Sequence, residues 1–560
     1  MSSEQTLPER PADVPSAEAA EGGEGGEGGE KLSKKALKKM EKEKEKAEKK
    51  RLQQEKEAAA KAQADANDVS KDKYGDTPII GTADYKPLTQ KRYKLHELAE
   101  IADGTNVLIR ARVHNARSQS AKLAFLNLRD RLDTIQAVIA ASETLSRQMV
   151  KFASTLSSES IVDVVGTVRG VTDPIKSASI SNAELHIEEL WVISRAPNQM
   201  PIQVEDAESR IPNENAAEEK TETGRPTVTL PTRLDNRVID LRSTLNQAIF
   251  QIRDGVQQLF EEYLRKHDFL KIDTPKLLGA PSEGGANVFE VKYFDKKAYL
   301  AQSPQLYKQM MIAADYKRVF ETAPVFRAEN SNTTRHLTEY TSLDLEMEFE
   351  HDYHDVIHFI RDLLLYILQG LETRYTKQTE RVRKEYKTEA FLVPKNPADV
   401  PIITFREGVA LLKEAGTEIS ELEDINSTEE KQLGNLIRTK YNTDFYILTE
   451  YPLDARAFYT MPHKTDPRFS HSYDFMLRGQ EVLSGAQRIH DQAMLKERCK
   501  VLGIDADGPG LKDYVNTFAY GCAPHAGGAF GAERIVLNWL GLGNVRLATL
   551  FPRDPSRLTP

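Results

Sequence analysis

Cysteine is nearly absent: Cys499 and Cys522 are the only two in 560 residues, so neither a disulfide framework nor a cysteine-built zinc site fits. Long apolar runs are absent as well. No stretch of eighteen apolar residues occurs, which leaves no candidate membrane span and no expected membrane partner. The N-terminus carries neither an apolar signal core nor an Arg-rich transit pattern, so a soluble, cytoplasmic protein is the expectation. A Gly-Lys-Ser/Thr phosphate loop is missing, which removes a P-loop ATPase, and Gly541-Leu542-Gly543-Asn544 lacks the third glycine of a dinucleotide site. His351, His354 and His358 fall at i, i+3, i+7 on an expected helix, yet no His-Glu-x-x-His occurs, and metal binding is not expected there.

What is present is a chain long enough for two or three domains, with an uneven charge. Its net charge is -9, but residues 31–61 carry 13 Lys/Arg against 6 Glu, a local +7 that leaves -16 elsewhere. A basic arm on an acidic body points to nucleic acid or another anionic surface; the plainer alternative is a solvated Lys/Glu helix. Before it, the Gly/Glu repeats up to Glu30 cannot bury a core, so residues 1–75 are expected to be a disordered, then lysine-rich helical extension. Residues 90–202 turn to short strands: Val107–Val113, the β-branched run Ile161–Val168, Glu184–Ile187 and Trp191–Ile193. A small closed barrel of OB type suits them, a class that binds single-stranded nucleic acid on aromatic platforms. Residues 203–235, polar and punctuated by Pro212, Pro226 and Pro231, read as a hinge, and 236–560 as one long catalytic module.

Within that module, Pro324-Val325-Phe326-Arg327-Ala328-Glu329-Asn330 reads as a strand ending in Arg-x-Glu, followed by a polar loop with Arg335-His336 and a returning strand, Tyr340–Phe349. Two hundred residues on, Gly531-Ala532-Glu533-Arg534 is a turn into an apolar helix, Ile535–Leu540. Arginines on such a frame suit a triphosphate, because guanidinium groups make forked, charge-assisted bonds to phosphate oxygens. The pair resembles motifs 2 and 3 of the class II aminoacyl-tRNA synthetases. The helical spacing Ile249 to Leu264, running into Phe269–Thr274 and Pro275, is similar to motif 1 of that class, which forms its dimer interface. Substrate segments further on resemble the eukaryotic cytosolic aspartyl branch of class IIb. The likeness spans residues 90–560 and the short motif Leu32–Lys39, which resembles a lysine-rich tRNA-binding element.

The resemblance implies an α+β protein: an OB-type anticodon-binding barrel, then a catalytic domain with an antiparallel sheet flanked by helices. It implies a homodimer with Pro275 at its interface, ATP and Mg²⁺ as cofactors, and L-aspartate and tRNA(Asp) as substrates. Arg327 would bridge the α-phosphate and the aspartate carboxylate, Glu329 would meet the adenine amino group and Tyr340 would stack on the purine. Leu337 and Gly531 complete the nucleotide site, Arg335 and His336 would reach the terminal phosphates, and Arg534 would cover adenine and the γ-phosphate. Glu481 and Ser484 resemble Mg²⁺ ligands, and Arg327, Arg534 and Glu481 would carry the catalysis. Ser282 and Glu283, on a Gly-flanked loop, and Gln305 would serve the substrate ammonium. Asp344 would orient that cluster. Lys308 and Arg488 would give the side-chain carboxylate two cations, leaving asparagine with unmatched charges. His525 either senses the substrate carboxylate or is a packed turn residue. In the barrel, Phe125 would stack on a base with Gln136 and Glu184 reading base edges, unless Phe125 is core. Lys34, Lys35, Lys38 and Lys39 would contact tRNA phosphates without reading sequence. Three rivals stand beside this reading: an asparaginyl enzyme of the same subclass, a non-catalytic RNA-binding relative, and a tRNA-independent asparagine-forming ligase.

Overall fold

The computed structural model describes Lys49 and residues 68–82, 86–211, 225, 227–282 and 287–560. Lys34, Lys35, Lys38, Lys39 and Glu283 therefore lie outside the described residues.

The first body is a closed five-stranded barrel. Strands β1 (Asn106–Ser120), β2 (Leu123–Asp130) and β3 (Asp133–Ala140) form an antiparallel meander. β4 (Ile161–Gly170) and β5 (Ala183–Ser194) pair with each other, β4 with β1, and β5 runs parallel to β3, which closes the circle. Along β2 the residues Ala124, Leu126 and Leu128 point inward into the barrel core, as period-two alternation requires. The two short strands expected at Glu184–Ile187 and Trp191–Ile193 are one continuous strand. The intervening Glu188 and Glu189 do not interrupt it, because their side chains lie half-buried or exposed on its rim.

The second body is built on an eight-stranded sheet. Its long helix α1 (Thr244–Lys266) is capped by the Ser243 hydroxyl, which accepts from the Asn246 amide, and buries Ile249, Ile252, Val256, Leu259, Phe260 and Leu264 against the sheet. After it, β6 is only Leu270–Lys271, shorter than the Phe269–Thr274 strand expected. It touches the sheet edge at Val319 and Phe320 alone, and Pro275 beyond it has no N–H to extend the ladder. Helix α2 (Gln305–Ala313) precedes the hairpin β7 (Arg318–Phe326) and β8 (Glu339–Glu348). Helix α3 begins at His354 and runs to Arg374, so His351 is not on it and the three histidines do not share a helical face.

A side module follows: β9 (Ile402–Thr404), α4 (Phe405–Glu414), α5 (Ser427–Tyr441) and β10 (Phe445–Thr449), with its own apolar cluster around Phe405, Val409, Leu433 and Ile437. β11 (Ser472–Leu477), β12 (Gln480–Gln487), β13 (His525–Gly531) and α6 (Ala532–Leu540) complete the domain. The strand order is β9-β10-β11-β12-β13-β8-β7-β6, antiparallel throughout except at the two edges, where β9–β10 and β7–β6 run parallel. No helix among the described residues is long and apolar enough to cross a membrane.

The two bodies meet through buried charge. Arg129 of the barrel makes a forked contact with Glu159 at 2.8 and 2.9 Å, and Arg242 of the second body reaches the same carboxylate at 3.2 Å. The segment 203–235 contributes Glu205, 3.6 Å from His114, and the helix Leu230–Asp235, whose buried Arg233 grips Asp240 at 2.5 Å.

Candidate active site

Between β8, β12, β13 and the loop after β7 lies a cavity of about 250 Å³. The hairpin β7–β8 brings Arg327, Glu329, Arg335, His336, Leu337 and Tyr340 to it; β12 brings Glu481 and Ser484, with Arg488 just past its end; the β13–α6 corner brings Gly531 and Arg534. Residues two hundred positions apart thus share one wall, because β8 and β12 both pair with β13.

One end of the cavity is dry and charge-paired. Glu346, fully buried, accepts from Arg488 Nε at 2.9 Å and from Arg488 Nη2 at 3.2 Å, and lies 3.6 Å from Lys308 Nζ. Burial pushes this carboxyl up, but Arg488 and Lys308 outweigh it and hold it below the ordinary glutamate value. Lys308, with no exposed side chain, donates to Asp344 at 3.0 Å. Gln305 bridges, donating to Glu346 and accepting from Arg488, both at 3.3 Å. Two glycines make the array possible. A Cβ on Gly527 would sit 2.2 Å from the Leu345 carbonyl and 2.4 Å from Glu346 Oε2, and one on Gly485 would strike the Tyr473 ring at 2.3 Å. The bare Gly527 carbonyl then accepts from Arg488 Nη2 at 2.9 Å.

The structure brings Gln305, Asp344 and Arg488 to the cavity wall, whereas Lys308 lies behind Asp344, since a fully buried ammonium requires a carboxylate beside it. His525 is buried deeper still, its Nδ1 donating to the Ala523 carbonyl at 2.8 Å and its Nε2 facing the Gln309 amide at 3.3 Å. Burial lowers its pKa to about 4, so it is neutral. Ser282 is buried at the end of the loop that continues into the segment outside the description.

The other end is open and basic. Arg327 is 44% exposed, its guanidinium 5.6 Å from the Tyr340 ring centre and 3.9 Å from Glu329. Burial raises the Tyr340 pKa, keeping the phenol neutral. His336 sits 3.9 Å from the same Glu329, and burial lowers its pKa. Arg534 donates to the Glu481 carboxylate at 3.2 Å and to its carbonyl at 3.1 Å. Arg335 donates to Glu430 of α5 at 2.7 Å.

Glu481 and Ser484 are three apart, and a regular strand would aim them to opposite faces. The register explains why both reach the cavity: Phe475 faces Leu483 while Met476 faces Glu481, so Val482 is an extra residue, a β-bulge that returns Glu481 to the Ser484 side. The two oxygen donors, Glu481 and Ser484, are of the hard-oxygen type that fits a Mg²⁺ completed by water and phosphate, whereas Asp474, across from Ser484, is taken by Arg456. Arg456 spans Asp474 in a forked contact at 2.8 and 3.0 Å and donates to the Ser484 hydroxyl at 2.7 Å.

Several residues escaped the sequence reading. Glu346 and Asp474 are acids within buried stretches of their strands, and both the burial and the partner become visible only in the fold. Glu533 is buried and joins three elements: it accepts from Arg253 of α1 at 2.8 Å and from the Thr341 amide of β8 at 3.2 Å. Far from this cavity, on the outer face of the barrel, Phe125 lies half-buried beneath Arg117, whose guanidinium is 5.0 Å from the ring centre. Gln136 donates to Glu184 at 3.1 Å on the neighbouring strands, and Glu184 meets His186 at 2.8 Å.

Residues 229–555 match the family of tRNA synthetases class II (D, K and N), and residues 107–193 match the OB-fold nucleic acid binding domain. The chain is 45% identical over 499 residues to the cytoplasmic aspartate–tRNA ligase of Caenorhabditis elegans, covering 89% of this chain and 92% of that protein. It is 46% identical over 495 residues to the human cytoplasmic aspartate–tRNA ligase, with 88% and 96% covered, so the likeness extends through both bodies. Among solved structures, an aspartyl tRNA synthetase from Entamoeba histolytica matches with a TM-score of 0.78 at 39% identity, over 87% of this chain and 96% of that one. An asparaginyl-tRNA synthetase from Pyrococcus horikoshii, complexed with asparaginyl-adenylate, matches less closely, with a TM-score of 0.71 at 30% identity over 82% and 97%.

Proposed function

The chain belongs to the class II tRNA synthetases of the D, K and N group, and on that premise we propose that it attaches L-aspartate to tRNA(Asp) at the expense of ATP. The observation that carries the choice of amino acid is the buried array of Arg488 and Lys308 around Glu346 and Asp344. Arg488, at the cavity wall, and Lys308, exchanging its Asp344 contact, meet the side-chain carboxylate. Asp344 and Gln305 turn to the α-ammonium. Asparagine offers no charge to either cation, and its amide donors would face them, which is a large penalty in a dry pocket. His525, neutral behind the array, leaves that charge balance to the two cations.

The α-carboxylate attacks the α-phosphorus of ATP, a P–O bond forms, the bond to pyrophosphate breaks, and aspartyl-adenylate remains. No protein nucleophile takes part. The chain aligns the reactants and meets the charge that develops. Arg327 spans the α-phosphate and the substrate carboxylate, Tyr340 supplies a stacking face for adenine, Glu329 meets the amino group of the base, and Arg335, His336 and Arg534 take the terminal phosphates. Glu481 and Ser484 would hold Mg²⁺, which when bound neutralises phosphate charge. In the second step a hydroxyl of the terminal adenosine of tRNA attacks the activated carbonyl, and AMP leaves.

The barrel would grip the anticodon through Phe125, Gln136 and Glu184. A homodimer across the motif 1 segment is supported by its exposed apolar side chains, Leu270 and Leu277, on either side of exposed Pro275. The names of the relatives support cytoplasmic work. ATP–pyrophosphate exchange with aspartate, asparagine, lysine and no amino acid tests this reading. Exchange with aspartate alone is expected; exchange with asparagine alone would transfer the protein to the sister specificity.

A further inference from the structure

The side module touches a residue of the cavity wall, Arg335, through the carboxylate of Glu430. We propose that Glu430, on α5, is a positioning residue that holds Arg335 at the phosphate end of the cavity, so that the side module helps set the affinity for the nucleotide's terminal phosphates. The proposal rests on reading that end as the triphosphate site.

Three observations carry it. Arg335 is both a wall of the cavity and a partner of Glu430, with Nη1 donating at 2.7 Å, whereas Glu430 is not itself among the described residues lining the cavity. The carboxylate therefore stands behind the guanidinium and need not be abandoned when the guanidinium meets a phosphate. Second, Glu430 is fixed. Helix α5 presses its backbone on the turn between β11 and β12: a Cβ on Gly434 would lie 2.4 Å from the Gly479 Cα, and one on Gly479 would lie 2.6 Å from the Glu430 carbonyl. Third, the pair is sheltered, with side-chain exposures of 27% for Arg335 and 12% for Glu430, and burial raises the carboxyl's pKa. Arg335 comes from the loop between β7 and β8, and its long side chain would otherwise sample many rotamers. A rigid support behind a mobile arginine is how a site is kept in register before its ligand arrives.

The sign of the outcome separates positioning from simple charge. Removing a carboxylate near a phosphate site should tighten ATP binding if repulsion were all that Glu430 supplied. Positioning predicts the reverse. ATP and AMP affinities would be measured by calorimetry on the full chain, with KM for ATP and kcat from pyrophosphate exchange, for wild type, Glu430→Gln, Arg335→Ala and the double variant. Glu430→Gln is expected to weaken ATP about tenfold, the scale of leaving one long side chain unordered. AMP, which lacks the terminal phosphates, should bind as before, with kcat at saturating ATP within about twofold and the double variant no weaker than Arg335→Ala. Tighter ATP binding, an equal loss for ATP and AMP, or no change in Glu430→Gln while Arg335→Ala weakens ATP would each overturn the proposal. If Arg335→Ala itself leaves ATP affinity untouched, the phosphate-end reading fails as well.

Discussion

At the Arg488 end of the cavity each charge sits beside an opposite one, out of reach of water, while at the Arg327 end three guanidinium groups stand between 27% and 44% exposed. The dry end contains its own counter-ions, Glu346 and Asp344, so its charges are balanced before any substrate enters. At the open end each guanidinium also has a carboxylate within 4 Å, Glu329, Glu430 or Glu481, but these pairs stay in contact with solvent. Their exposure to solvent lowers the cost of exchanging one partner for another, which suits the phosphate role proposed above. The two ends thus differ in burial more than in pairing, and each should fail in its own manner.

The most severe break should come at the dry end. Glu346→Gln leaves buried Arg488 without its carboxylate and is expected to cost about 3–5 kcal/mol of stability, read as a lowered denaturation midpoint. At the open end, Arg327→Ala should leave that midpoint unchanged but reduce pyrophosphate exchange by about 10²–10³-fold, the scale for removing one preorganised electrostatic donor. Swapped outcomes, with Arg327 structural and Glu346 merely kinetic, would undo the comparison. The barrel sharpens it from a distance. Phe125→Ala should lower tRNA charging by roughly tenfold to a hundredfold, as expected for one lost base stack, with aspartate-dependent exchange intact. The mildest effect concerns pH. His525 is neutral in the fold with a pKa of about 4 against an ordinary 6.5. Between those values the unfolded chain binds a proton that the folded chain refuses. Its contribution is therefore complete above pH 6.5 and is lost as the pH falls toward 4. His525→Gln should flatten the stability slope in that window by up to about 1.4 kcal/mol per pH unit, measured from urea midpoints at pH 5 and 7.

Much of this was legible in the sequence where the signal is local. The hairpin holding Arg327 and Tyr340 announces itself through strands on both sides of a polar loop; the returning strand lies within one residue of Tyr340–Phe349 at each end, whereas the first stops at Phe326, before the Arg-x-Glu expected to end it. Helix α6 starts three residues before the expected Ile535, because Ala532 and Glu533 continue its first turn after Gly531. What stayed hidden depends on pairing across the chain. Glu346 finds Arg488 142 positions away, and Arg335 finds Glu430 95 positions away. No spacing rule reaches that far; only the order of strands in the sheet does.

The extra residue at Val482 has one more consequence. A strand keeps count by twos, so drawing Val482 into regular pairing, with no change in length, would turn Glu481 toward the apolar layer beneath the sheet, away from the Ser484 side. The neighbouring ladder, Leu483 against Phe530 and Ser484 against Ala529, would stay in step. At this point, then, one residue left out of the pairing decides which way a carboxylate faces.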